Sequence, residues 1–232
     1  MKLIIECNGL PGAGKTTVLN EVKKRLKKTD YAYSDFFLLE TKKSRTKLAF
    51  LKLVLIRGLV KNHKITIAYI KLFIRYLFRK KQMRIVASAL RNALLLKEFV
   101  ENECIILSDQ TIVQDLQSIF YDEKIERNEQ IYKIITTIAD EFPELVLLNF
   151  DIDVDIAAER IKNRTTNESR LDRVSFERKK QLLEIHDENL KIIRSLFKDS
   201  CQIVIDSRKA VNYSVDRIMS ELSNIQALRG DN

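Results

Sequence analysis

The chain has 232 residues, 45% apolar and 31% charged with a net charge of +9, a balance that excludes both a disordered polyelectrolyte and a membrane bundle. Five Gly and two Pro are too few for an all-β sandwich or barrel, which needs turn residues about every ten positions. Four of those seven, Gly9, Pro11, Gly12 and Gly14, crowd into one stretch near the N-terminus, so the backbone freedom is concentrated at one place.

Lys2 to Asn8 is a short apolar run, a glycine-rich turn follows, and Lys15 to Lys28 places Val18, Leu19, Val22 and Leu26 at helical spacing. The chain therefore opens as strand, loop, helix. A second apolar run covers Tyr31 to Ser34. From Thr41 to Val100 there is no strand-like punctuation and one glycine, Gly58, which predicts two or three helices inserted between strands two and three. Three further strands are predicted at Cys104 to Leu107, at Leu145 to Phe150 behind Pro143, and at Gln202 to Ile205. Helical periodicity separates them, the pattern of a parallel sheet wound with helices. Ser175 to Lys198 reads as one long helix and Asn212 to Leu228 as the closing one. We expect one domain over residues 1–232, with residues 41–100 as its basic helical insertion and residues 164–173 as a lid.

Cys7, Cys104 and Cys201 lie far apart in or beside apolar runs, with no CxxC or histidine cluster to suggest zinc. They read as small core residues in a reducing compartment. The run Met1 to Glu6 is too short for a signal peptide, and no uncharged apolar stretch approaches a membrane span. The expected location is cytoplasmic.

Gly9-Leu10-Pro11-Gly12-Ala13-Gly14-Lys15-Thr16 satisfies the phosphate-loop pattern G-x-x-x-x-G-K-S/T, between an apolar strand and an amphipathic helix as that loop requires. The glycines, with Pro11 and Ala13 between them, let successive backbone N–H groups turn toward β- and γ-phosphates, and the helix adds its positive dipole end. Lys15 is expected to bridge β- and γ-oxygens, Thr16 to ligate Mg²⁺, and Thr17 to reach the α-phosphate.

Carboxylates and arginines at strand ends supply the remaining chemistry of such sheets. Asp109 ends the third predicted strand, where it would hold Mg²⁺. Asp35 ends the second and would take the proton of an acceptor hydroxyl or orient the metal. Arg160, Arg164, Arg170 and Arg173 run from a helix end through a polar loop, where guanidinium groups neutralise charge developing on a transferred phosphoryl.

This order of features resembles the thymidylate kinases and deoxynucleoside kinases of the P-loop superfamily. The resemblance covers residues 1–35 and 103–225, and rests most on the phosphate loop and the stretch Glu159 to Arg173. It implies a P-loop NTPase fold with a five-stranded parallel sheet, γ-phosphoryl transfer from ATP with Mg²⁺, and a loop Asp206-Ser207-Arg208-Lys209-Ala210 near adenine, with Arg208 binding the nucleotide. The acceptor it implies is a nucleoside or thymidylate-like nucleotide, which Asp115, six positions beyond Asp109, would contact. The family's acid–arginine pair is replaced here by Asp109-Gln110, which leaves open a kinase of a non-nucleoside hydroxyl, such as a sugar or lipid-linked glycan at a membrane. A non-catalytic ATP-dependent binding module is a third reading.

The insertion remains outside the resemblance. Thr41 to Lys97 holds sixteen Lys and Arg and no acid, so the rest of the chain sums to −7. Arg57, Lys61, Lys64, Lys71, Arg75 and Arg79 recur at helical spacing as a stripe, with Leu59, Ile65, Ile67, Ile70, Phe73, Ile74, Leu77 and Phe78 around it. We expect the stripe to face solvent while the apolar residues pack on the body or in a homodimer, or else the stripe to meet an anionic membrane surface or other polyanion. No recognised nucleic-acid-binding motif accompanies it, which argues against nucleic acid.

Overall fold

The computed structural model describes residues 2–28, 33–36, 56, 58, 60–102, 105–109, 111–126, 128–164 and 170–230. Gln110, Cys104, Arg57, Leu59, most of the first third of the expected insertion and residues 165–169 of the expected lid lie outside them.

Strands β1 (Leu3–Gly9), β2 (Ser34–Asp35), β3 (Ile105–Ser108), β4 (Leu145–Asp151) and β5 (Cys201–Asp206) form one parallel sheet in the order β2-β3-β1-β4-β5. Helix α1 is Lys15–Leu26, α2 His63–Arg75, α3 Lys80–Asn102, α4 Ile112–Ile119, α5 Glu129–Asp140, α6 Val154–Lys162, α7 Phe176–Leu196 and α8 Val211–Gly230. The expected five-stranded α/β architecture is present, with α2 and α3 inserted between β2 and β3. The second strand differs from expectation, since only Ser34 and Asp35 pair, with Ile106 and Leu107. So short an edge strand carries no periodic signal of its own.

The sheet separates two apolar cores. Val18, Leu19, Val22 and Leu26 of α1 and Val215, Ile218 and Leu222 of α8 cover one face; α2 to α7 cover the other. Every residue of β1 is buried, which suits a central parallel strand covered on both sides. Polar groups within the sheet satisfy one another: Asn8 Nδ2 donates to Asn149 Oδ1 (2.8 Å), Asn149 Nδ2 to Gln202 Oε1 (2.9 Å), and Gln202 Nε2 to the carbonyls of Arg194 and Phe197. This amide ladder ties β1, β4 and β5 to the end of α7.

The insertion packs only part of its apolar residues on the body. Helix α2 buries Ile65, Ala68, Tyr69 and Leu72, while Ile67, Ile70, Phe73, Ile74, Leu77 and Phe78 are exposed. The stripe is only partly solvated, because Arg75 and Arg79 pair with Glu123 and Lys64 with Glu141 (3.4 Å). Helical spacing reveals that a helix has faces without saying which one the body covers.

Candidate active site

β1 lies between β3 and β4, strands that follow it at different distances along the chain, and the connections leave toward opposite sides. Such a switch point opens a crevice at the carboxyl ends of the strands. The phosphate loop emerges there. Gly12 and Gly14 adopt φ of +90° and +81°, in the left-handed region that favours glycine. A Cβ on Gly12 would also stand 2.9 Å from the Ala157 carbonyl oxygen, so the loop is seated directly on α6. Gly14 caps α1, whose first turn holds Lys15, Thr16 and Thr17. Lys15 Nζ donates to the carbonyls of Gly9 (2.8 Å) and Leu10 (3.0 Å), folded back over its own loop. Burial of the ammonium pulls its pKa down to about 8, with Arg164 and Arg194 adding to the effect and the Asp109 carboxylate opposing it.

Opposite the loop lies a cleft of about 560 Å³ walled by Gln114, Gln117, Ser118 and Tyr121 of α4 and its C-terminal turn, by His186 of α7, and by Arg164 and Arg170. Its walls hold polar atoms with no protein partner: Gln114 Oε1, Gln117 Nε2, the Tyr121 hydroxyl and His186 Nδ1. His186 Nε2 bonds the Tyr121 carbonyl at 2.9 Å, and burial lowers the imidazole to about 4, so the ring is neutral near pH 7. Arg170 stacks 5.1 Å from the Tyr121 ring centroid. Neither Arg164 nor Arg170 forms an ion pair among the described residues. Behind α4, Asn92 Nδ2 donates to Asp115 Oδ2 at 2.9 Å, bringing α3 to the inner side of the site.

The other expected site residues are distributed differently. Arg160 donates to the carbonyls of Gly12 (3.5 Å) and Ser207 (3.0 Å), clamping the phosphate loop to the loop after β5. Arg208 pairs with Asp206 (2.8 Å) and Asp153 (3.8 Å) beside a second cleft at the β5 edge. Asp35 is held by Lys23 of α1 at 2.5 Å and does not line the phosphate cleft, and Arg173 is exposed outside it. Thr16 lines the cleft, and Asp109 is near enough to Lys15 to raise its proton affinity. A hydroxyl and a carboxylate beside a phosphate cradle fit Mg²⁺, which takes oxygen ligands and keeps waters and substrate phosphates in its shell.

Two residues that support the site escape sequence reasoning. Glu6, buried within β1, accepts the backbone N–H groups of Ile112 (3.0 Å), Gln114 (3.0 Å) and Thr111 (3.4 Å), capping α4 from a strand more than a hundred positions away in sequence. Burial raises its pKa and these bonds oppose the rise. Its signal was a lone carboxylate inside an apolar strand. Arg194 donates from Nε to Asn8 Oδ1 (2.7 Å) and from a terminal nitrogen to Asp151 (2.9 Å), joining α7 to the ends of β1 and β4. Nothing in the local sequence separates it from other helix-surface cations.

No family model matches the chain, and no curated protein matches it. Solved structures do. A deoxyadenosine kinase from M. mycoides with the products dCMP and a flexible dCDP bound superposes at a TM-score of 0.54, with 18% identity over 96% of this chain and 100% of that one. The same kinase with dATP bound gives 0.53 and 20% over 95% and 100%. A shikimate kinase from Bacteroides thetaiotaomicron is matched at 0.49 and 13% over 96% and 99%. The chain has the fold of the P-loop kinases.

Proposed function

We propose that the protein is an ATP- and Mg²⁺-dependent phosphotransferase that moves the γ-phosphoryl of ATP to a small acceptor, a nucleoside or thymidylate-like nucleotide. The observation that carries this reading is the phosphate cleft itself: a glycine cradle and a desolvated lysine on one wall, and on the other, arginines with no ion pair among the described residues and unpartnered amide and imidazole atoms. Arg164, Arg170, Gln117 Nε2 and the Tyr121 hydroxyl are cations and donors that a polyanionic substrate would satisfy, while Gln114 Oε1 and the unprotonated His186 Nδ1 are acceptors open to a donor group of the acceptor molecule. The fold shared with a deoxyadenosine kinase supports the acceptor class.

In this reading the backbone N–H groups of the loop from Gly12 to Lys15 and the Lys15 ammonium hold the β- and γ-phosphates, and Thr17 reaches the α-phosphate. Thr16 and Asp109 would hold Mg²⁺, which supplies charge neutralisation across the phosphates when bound. Arg160 fixes the loop against Ser207, and Arg208 borders the adenine side. The acceptor lies toward α4, with Asp115 and Asn92 as its hydrogen-bonding pair and Asp35 accepting the proton of its hydroxyl, so the Lys23–Asp35 contact opens as the acceptor binds. The acceptor oxygen, a nucleoside hydroxyl that gives its proton to Asp35 or an ionised oxygen of a monophosphate, forms the new bond to the γ-phosphorus, the bond from phosphorus to the β–γ bridging oxygen breaks, and ADP leaves with that electron pair. Arg164 and Arg170, with Arg173 when the lid closes, neutralise the charge spread over the equatorial oxygens.

A library of deoxynucleosides, nucleoside monophosphates, sugars and lipid-linked glycans incubated with labelled ATP tests this directly. Labelling of nucleosides or monophosphates by the wild type and not by Lys15→Ala is the expected result. Labelling confined to sugars or glycans would move the acceptor to a non-nucleoside hydroxyl, and a blank across the library would leave an ATP-binding module.

A further inference from the structure

On α2 and the turn after it, Ile67, Ile70, Phe73, Ile74, Leu77 and Phe78 form a solvent-facing line, with Phe78 at its tip 96% exposed. Spacings of three, four and seven put Ile67, Ile70, Phe73 and Ile74 on one side of a helix about 20 Å long, and Leu77 and Phe78 follow in the turn beyond its end. Single exposed apolar residues are ordinary, whereas a contiguous row marks an interaction surface. Beside the row, α2 and α5 enclose a groove of about 740 Å³ floored by Ile131 and Ile134 and rimmed by Lys64, Lys71 and Lys133. Lys71, Lys80 and Arg84 are exposed and form no ion pair among the described residues.

We propose that this face docks on an anionic lipid bilayer, lying in its interface. The reasoning is one of charge and shape together. The stretch from Thr41 to Lys97 contains no Asp or Glu, so a two-fold contact of this face with a second copy would set Lys71 and Lys80 against their own images. Nucleic acid would satisfy the cations and leave the isoleucines and Phe78 in water. A bilayer with acidic headgroups satisfies both, taking the apolar row into the acyl boundary and the lysines at the phosphates. No helix among the described residues is long and apolar enough to cross a membrane, so the contact is peripheral.

The docked face also borders the phosphate cleft. Lys81 Nζ stands 5.9 Å from the ring centroid of Tyr121, a cleft wall, and Tyr76 in the α2–α3 turn donates to Glu123 (3.0 Å) just beyond it. Docking therefore brings the cleft close to the lipid surface. The proposal stands whether or not the acceptor is a nucleoside.

Flotation of the full chain with phosphatidylcholine vesicles, and with vesicles that also contain phosphatidylglycerol, tests it. Binding to the acidic vesicles alone, weakening as salt screens exposed charges, is expected. Lys71→Gln and Lys80→Gln should each weaken partitioning about fivefold. Leu77→Ser with Phe78→Ser should remove it while circular dichroism and the unfolding midpoint stay unchanged, since both side chains are already exposed. Equal flotation with both vesicle types, or with neither, overturns the proposal. A wild-type dimer in sedimentation that the Leu77→Ser, Phe78→Ser variant converts to monomer, without acidic-vesicle binding, would give the face to a second copy instead.

Discussion

Two clefts of comparable size share α7 as a wall, about 560 Å³ at the phosphate loop and about 480 Å³ at the β5 edge. Both are lined by charge. At the β5 edge the charges answer one another: Arg194 pairs with Asp151, Lys191 with Asp187 (2.7 Å), and Arg208 with Asp206 and Asp153. At the phosphate loop Arg164 and Arg170 have no acidic partner among the described residues, and the amides of Gln114 and Gln117, though bonded to each other, each leave an atom without a partner. Volume does not distinguish the phosphate cleft from its neighbour; unsatisfied polarity does, because polar groups that a fold leaves unpaired in a cleft wall are available to a ligand.

The largest test of that contrast is Lys15→Ala. It removes the one ammonium that the loop desolvates, and turnover of ATP should fall on the order of 10²-fold or more with the fold retained, read by a coupled ADP assay beside a melting curve. Turnover close to wild type would place the reactive phosphates elsewhere.

An exchange of roles between arginines sharpens it. Arg164→Ala should lower kcat by about 10- to 100-fold and leave the denaturation midpoint unchanged, since the side chain has no ion pair to lose among the described residues. Arg194→Ala should do the reverse. It strands the buried Asn8 carboxamide oxygen, costing about 1–3 kcal/mol in urea denaturation, with kcat within about twofold of wild type. If both variants lose the same property, the division between the two clefts fails.

Glu6 tests whether the phosphate cleft depends on its far wall. Glu6→Ala leaves three N–H groups at the start of α4 without their acceptor and should cost about 3 kcal/mol; Glu6→Gln, which keeps one acceptor oxygen, should recover part of that. An unchanged midpoint in Glu6→Ala would mean that α4 is held by other contacts.

The smallest effect concerns pH. With its pKa drawn from 10.5 to about 8, Lys15 loses its proton in the free protein as pH rises through that value, and phosphate binding then requires proton uptake. ATP affinity, measured by calorimetry, should fall by up to about tenfold per pH unit above about 8. The linkage for folding has the opposite sense: between pH 8 and 10.5 the unfolded chain holds the proton that the native chain has lost, so this group adds stability as pH rises through that window. An affinity flat to pH 10 would show that the ammonium is not desolvated.

Much of this arrangement was legible along the chain. The phosphate loop, β1 and α1 could be read because their signals are local, a spacing motif between two periodic runs, β3 and β4 because buried parallel strands are continuous apolar segments, and the edge strand β5 from its short apolar run Ile203 to Ile205. Asp35 was placed at its strand end, but its pairing with Lys23 depends on how α1 lies across the sheet. The cap from Glu6 to α4 and the clamp from Arg194 to Asn8 span more than a hundred residues in sequence, and no short-range pattern encodes them. Which face of α2 the body covers was not legible for a related reason: an amphipathic period fixes that two faces differ, and tertiary packing chooses between them.

The length of α7 has a consequence of its own. Its 21 residues place His186 at one cleft, Asn189 on the carbonyls of Phe120 and Glu123, and Arg194 at the ends of β1 and β4. Each successive residue turns the helix by about 100°. A single residue added or removed between Asn189 and Arg194 would leave the first two seated and swing the third to another side of the rod. The spacing of three anchors on one rigid element thus acts as a ruler, and lineages of this chain should tolerate substitutions along α7 far more readily than insertions or deletions within it.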